Sequence, residues 1–204
     1  ELREYINSIL AYKNEFYYLE ALRLENDKQW EEAGRLYRAI LKINPDHFEA
    51  NYRLGILSII LQDLDAAFTY LQQAMRMKGN DPKVLYQMGV LLFSSERTGE
   101  ALQYFNRAIE LNENTASIHN YVGLCHEKLG NLNEAKNSYN RAILLDANDV
   151  AIKSNLERIS QAIEDEKSKW KLPNQKNQSD VEQGENIPLP INKSARDIRL
   201  KDNE

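Results

Sequence analysis

Cysteine is almost absent: Cys125 is the only one in 204 residues. A single thiol cannot build an intrachain disulfide framework or a cysteine-rich metal cluster, and it fits a reducing compartment, so a cytoplasmic location is the expectation. Long apolar runs are missing too. No stretch approaches the roughly 18 residues of a membrane span, so no direct membrane span is expected, and no basic start followed by an apolar core marks a signal peptide. The chain begins at Glu1 rather than Met, so a leader, an anchor or a further domain could precede it. An excess of positive charge is also lacking. With 26 basic against 31 acidic residues the net charge is -5, which argues against a general affinity for nucleic-acid backbones. Nothing in the sequence resembles a glycine-rich phosphate loop. The 42% of hydrophobic and 28% of charged residues are ordinary for a chain that buries a core or a stack of small ones.

Small residues recur at one spacing. Gly55, Gly89 and Gly123 are 34 residues apart, as are Ala33, Ala67, Ala101 and Ala135, and likewise Ala74, Ala108 and Ala142. Each member of the first alanine series is followed four residues later by a large apolar or aromatic residue: Tyr37, Leu71, Phe105 and Tyr139. Asp81, Thr115 and Asp149 repeat at the same interval and are suited to capping the N-termini of helices. A 34-residue period with these features resembles the tetratricopeptide repeat, a helix-turn-helix unit that stacks on its neighbours. The resemblance implies an all-α, right-handed superhelical solenoid, closed by a C-terminal capping helix and followed by a disordered tail.

In chain order, residues 1–13 place Leu2, Tyr5, Ile6, Ile9 and Leu10 on one face of an N-terminal amphipathic helix that needs a partner. It can pack on the first repeat or mediate self-association. Four repeats follow over 14–149, at about 14–47, 48–81, 82–115 and 116–149. The first is the least regular, with Ala21 in place of glycine, as terminal repeats often are. Trp30 opens its second helix and Pro45 ends it. In the second repeat, helices are expected near 47–61 and 64–77, with Asp63 as N-cap. In the fourth, Gly130 suits a left-handed C-terminal cap, and Asn131 with Glu134 resembles a capping box. Residues 150–171 form the capping helix, with Val150, Ile152, Leu156, Ile159 and Ile163 on its apolar side. From 172 to 204 the composition turns too polar for a core, apart from an apolar island at 187–191 and a basic-tinged end.

The three glycines are expected where the first helix of a repeat lies close to the second, with Ala67, Ala101 and Ala135 as the matching small surface. Tyr37, Leu71, Phe105 and Tyr139 would fill the space between repeats. By resemblance to the family, the first helices line a concave surface that includes Tyr18, Leu22, Tyr52, Arg53, Ile56, Ile59, Ile60, Tyr86, Gln87, Val90, Phe93, Asn120, Tyr121 and Leu124. Some of these are expected to be half-buried between adjacent first helices. Tyr18, Tyr52 and Tyr86 form a row 34 apart, and tyrosine offers a rigid apolar body with a polar tip for peptide recognition. The family's carboxylate clamp needs Lys, Asn and Arg on this surface. Of the matching positions only Arg53 is compatible, so chaperone-tail binding by that mode is not expected.

Other chemistry finds little support. His119 and His126 fall at helix-packing positions, His47 at a helix start, and Cys125 beside no general base placed by a motif. Glu31-Glu32 and Asp63/Asp65 suit solvated helix starts, where acidic groups favour the dipole. No catalytic residue, metal or cofactor is expected. The leading function is therefore a non-enzymatic adaptor or scaffold whose groove binds an amphipathic or extended segment of a partner protein within a multiprotein assembly. One alternative is a self-associating assembly subunit, with the groove filled by its own tail or a neighbour's N-terminal helix. Another is the regulatory part of a longer enzyme.

Overall fold

The computed structural model describes residues 1–170. Among them the secondary structure is helical throughout: α1 (Leu2–Asn26), α2 (Trp30–Ile43), α3 (Phe48–Ile60), α4 (Leu64–Met77), α5 (Pro82–Ser94), α6 (Thr98–Glu110), α7 (Ala116–Lys128), α8 (Leu132–Leu145) and α9 (Val150–Trp170). Residues 1–166 form one compact unit; of the second, 167–204, only the end of α9 is described. The apolar island and the basic-tinged end lie outside the described residues.

Helices α1 to α8 pair as four helix-turn-helix units, and each second helix packs on the first helix of the next unit. The first helices also touch directly, α3 with α5 and α5 with α7, which places them on the inner side of the stack. Thin units of this kind bury a core only by stacking. The buried residues accordingly form a series of clusters: one around Ala21, Tyr37 and Leu54, another around Leu71, Met88, Phe105 and Val122, and a third around Ala135, Tyr139 and Ile159.

The helix ends repeat as regularly as the core. Asp81 accepts from the backbone N–H groups of Lys83 and Val84, Thr115 from Ile118, and Asp149 from Ala151 and Ile152. The same position one repeat earlier is His47, whose Nδ1 accepts from Ala50. Asp63 caps α4 through Ala66. Within the units, the turns place Lys28, Gln62, Glu96 and Gly130, each 34 residues apart, in the left-handed region at φ 58°, 61°, 60° and 78°. Gly130 is the one of these four without a steric cost there. The capping box expected at Asn131 and Glu134 does not form. Asn131 already donates its backbone N–H to the carbonyl of His126 at 2.8 Å, so the donor that Glu134 would have taken is used.

The glycines answer to a different neighbour from the one expected. A Cβ on Gly55 would lie 2.5 Å from Leu71 Cγ, one on Gly89 2.5 Å from Phe105 Cε1, and one on Gly123 2.5 Å from Tyr139 Cε1. The glycine therefore makes room for the large side chain of its own unit, rather than for the facing alanine.

At the termini, α1 is one continuous helix of 25 residues, about twice the length of α3, α5 or α7, so residues 2–13 extend the first helix of the first unit. Helix α9 buries Ile152, Ile159 and Ile163 and leaves Val150 exposed. It also joins α7 through Asn155, which donates to Asn120 at 2.9 Å.

Candidate functional site

Helices α1, α3, α5 and α7 carry the fourteen expected groove residues at matching places in each unit. The structure sorts these residues. Ile59 and Val90 are each only 8% exposed and belong to the core. Ile60, at the end of α3, is 46% exposed. Tyr18, Leu22, Tyr52, Arg53, Ile56, Tyr86, Gln87, Phe93, Asn120, Tyr121 and Leu124 are half-buried. Asn120 is engaged by α9, and Leu124 packs on the cluster that Ile159 and Leu156 of that helix help to form, so α9 covers this end of the surface.

The aromatic side chains group rather than line up. Tyr121 is the hub of the largest group: its ring centroid lies 5.3 Å from that of Phe105, 5.6 Å from Phe93 and 6.0 Å from Tyr86. Tyr52 stacks on Phe48 at 6.1 Å, and Tyr18 sits between Tyr37 and His47. Burial pushes the phenols of Tyr52, Tyr86 and Tyr121 up, Tyr86 to about 12. All three stay neutral in ordinary buffers and can offer a hydroxyl without a charge.

The ion pairs made by this surface stand at its two ends, while between them Lys78 Nζ lies 3.8 Å from the ring centroid of Phe48 and Lys128 Nζ 4.7 Å from that of Phe93. Arg53 Nη1 donates to Glu25 Oε2 at 3.0 Å, bridging the first and second units. Arg158 of α9 holds Glu127 through both oxygens, the contact to Oε2 being 2.9 Å, and Tyr139 donates its hydroxyl to the same carboxylate at 2.9 Å. Hydrogen bonding to Arg158, helped by Tyr139, holds the Glu127 carboxyl below its ordinary range against the opposing effect of burial. Glu25 and Glu127 occupy one repeat position, 102 residues apart; Ile59 and Phe93 fill that position between them. Sequence reasoning missed Glu25, Glu127 and Arg158. The available signal was the tripled 34-residue interval, with a glutamate before a tyrosine twelve residues on in both outer units. Arg53, the one clamp-compatible residue, is committed to Glu25 and so is not free for an incoming carboxylate.

Of the other polar groups singled out in the sequence, His126 keeps a buried Nδ1 with no hydrogen-bond partner among the described residues. His119 is buried, and its Nε2 lies 2.6 Å from Asn114 Oδ1, tying the turn before α7 to the helix. Desolvation, with Arg141 nearby, lowers its pKa. The Cys125 thiol is fully buried and pushed up to about 12 by that burial, which leaves it inert as a nucleophile at neutral pH. Among the described residues no cluster of three or more His, Cys, Asp or Glu is placed to hold a metal ion, and no helix is long and apolar enough to cross a membrane.

Tetratricopeptide repeat profiles match residues 18–82, 82–115 and 116–149, together well over half of the chain. No curated protein matches the sequence. Many solved structures share the architecture. MamA from Desulfovibrio magneticus RS-1 superposes with a TM-score of 0.67 at 20% identity, over 76% of this chain and 88% of that one. PilF of Pseudomonas aeruginosa gives 0.68 at 18% identity, over 76% and 71%. YrrB, described as a TPR protein with an unusual peptide-binding site, gives 0.59 at 24% identity, over 72% and 76%. At such identities the likeness is one of fold.

Proposed function

The chain belongs to the tetratricopeptide repeat family of protein-interaction modules, and from that premise we propose that it is a non-enzymatic scaffold whose inner surface binds a segment of a partner protein. The observation that carries this is the distribution of polarity along the first helices. Half-buried Tyr52, Ile56, Tyr86, Phe93 and Tyr121 form an apolar middle, and Glu25–Arg53 and Glu127–Arg158 close the two ends with satisfied ion pairs. A ligand matching it has an apolar stretch, as an amphipathic helix or an extended segment does, with polar residues on either side. Neutral tyrosine hydroxyls supply orientation, and the rings supply contact area at low entropic cost. The peptide site described for YrrB lends the reading support at the level of the fold alone.

A photo-reactive residue at position 56 should capture the partner from native lysate, whereas the same residue at 103, on α6, should not. Tyr52→Ala with Tyr86→Ala should abolish the capture while circular dichroism stays helical. Equal capture from both positions, or capture that survives the double substitution, would remove the inner surface from consideration.

A further inference from the structure

The extended part of α1 carries an apolar stripe that nothing in the unit covers. Leu2, Tyr5, Ile9, Tyr12, Phe16 and Leu19 are 74%, 65%, 48%, 76%, 57% and 57% exposed. Their spacings run 3, 4, 3, 4, 3, the alternation of the a and d positions of a heptad repeat. The next place in the series is Arg23, held by Glu20 of its own helix and by Asp27 at the helix's C-terminal cap, and there the stripe stops. Ala21 and Leu24 lie on another face, buried with α2. Tyr5, Tyr12 and Phe16 alone leave about 400 Å² in water, taking roughly 200 Å² for a full aromatic side chain. With Leu2, Ile9 and Leu19 added, the stripe approaches the about 800 Å² per partner of a standard interface.

We propose that this stripe pairs with the same stripe of a second copy, as a short antiparallel coiled coil over residues 2–19. Self-pairing fits because the stripe is palindromic in its spacing. In antiparallel register Leu2 of one copy meets Leu19 of the other, Tyr5 meets Phe16, and Ile9 meets Tyr12, so every a position faces a d position. The flanking residues select the orientation. A parallel pair would set Glu15 of each copy against Glu20 of the other, twice over, with like charges adjacent. The antiparallel pair instead sets Glu15 against Ser8, and Lys13 against Ile6. A lipid surface fits less well: helices that lie on anionic bilayers carry a face rich in Lys and Arg, and here Glu1, Glu4, Glu15 and Glu20 outnumber Arg3 and Lys13. The inference does not rest on the groove reading, since none of the six stripe residues belongs to the groove.

Sedimentation equilibrium of the full chain up to about 100 µM should give twice the 23.7 kDa protomer mass. Ile9→Glu with Phe16→Glu should halve it without loss of helix, both positions being exposed. Under mild oxidation, Leu2→Cys with Leu19→Cys should form a disulfide-linked dimer, whereas Leu2→Cys alone should not. The native Cys125 is buried and leaves the background low. A wild-type chain that stays monomeric throughout overturns the proposal, as does a dimer unaffected by the two glutamates. Cross-linking of the Leu2→Cys variant overturns the antiparallel arrangement, and binding to phosphatidylserine vesicles by a monomeric chain assigns the stripe to a membrane.

Discussion

The outer and the central repeats solve one packing problem with different chemistry. In the first and fourth units a tyrosine fills the space beside the small residue of the first helix, and a glutamate stands twelve residues before it: Tyr37 with Glu25, and Tyr139 with Glu127. In the second and third units the same two places hold Leu71 with Ile59, and Phe105 with Phe93. The backbone register is common to all four, so the difference lies in the surroundings. A central unit is covered on both sides: at Ile59 a charge would be buried in the core, and at Phe93 the ring itself carries the Lys128 ammonium 4.7 Å from its centroid. At the ends an arginine reaches in from the next element, Arg53 or Arg158, and neutralises the acid. The two ends are not equal, however. Tyr139 donates to Glu127, whereas the buried hydroxyl of Tyr37 has no hydrogen-bond partner among the described residues.

Moving the acid into the middle is the hardest test of this comparison. Ile59→Glu, at a position 8% exposed, buries a carboxylate with no arginine to meet it, and should cost roughly 3–5 kcal/mol in urea unfolding. A cost under about 1 kcal/mol would mean that the centre tolerates what we ascribe to the ends. Next in size is the fit of ring to glycine. Gly89→Ala places a methyl against Phe105 and should destabilise by about 1–3 kcal/mol through overpacking. The reverse change in the first unit, Ala21→Gly, removes a methyl that is already accommodated and should cost no more than about 1 kcal/mol. Equal losses from the two would dissolve the distinction.

Converting an end to the central pattern should have a smaller, recoverable effect. Glu127→Ile strands the Tyr139 hydroxyl, at about 1–3 kcal/mol, and adding Tyr139→Phe should restore most of it. If the double variant is as unstable as the single, the hydrogen bond is not what holds this end together.

The period was legible because residues that cannot change without a clash, such as Gly55, Gly89 and Gly123, sit at its nodes. The polar ends were not, because Glu25 and Glu127 are separated by two intervening repeats with Ile59 and Phe93 in the same place, and a series broken in its middle does not announce itself. For the left-handed turn position, Gly130 advertises the conformation, while Lys28, Gln62 and Glu96 adopt it under constraint from the helices on either side. Pattern reading likewise placed Asn131 and Glu134 in a capping box because their types and spacing fit. It had no means of knowing that the Asn131 N–H was taken. Within the candidate site, register alone assigns Tyr52 and Tyr86 to the inner surface as an expectation. The aromatic hub at Tyr121 arises from packing across repeats, which spacing alone does not reveal.

Acid should expose the fourth unit first. His119 has a lowered folded pKa against an ordinary value of 6.5, so the unfolded chain binds its proton more readily; the contribution is complete above about 6.5 and declines as pH falls below it. Glu127 is also lowered, from 4.5, and its contribution is lost only in more acidic solution, as the folded carboxyl takes up a proton. The unfolding midpoint should therefore decline in two steps below neutrality. His119→Asn should remove the upper step and leave the lower, and Glu127→Gln should do the converse. A single step untouched by either substitution would place the acid sensitivity elsewhere.

The smallest expected effect concerns a place where the outer repeats differ from each other. Lys28 and Gly130 occupy the same turn position, both in the left-handed region, where an L side chain is strained and glycine is not. The Lys28 side chain is exposed, and its backbone N–H bonds to the carbonyl of Glu25 whatever residue stands there. Lys28→Gly should then stabilise the chain by up to about 1 kcal/mol, less the entropy that glycine adds to the unfolded state. Gly130→Ala, having no neighbour within 4 Å of its added methyl, should lose about the same amount for conformational reasons alone. A pair of shifts equal in size and opposite in sign would show that this turn obeys backbone geometry and is indifferent to which end of the stack it serves.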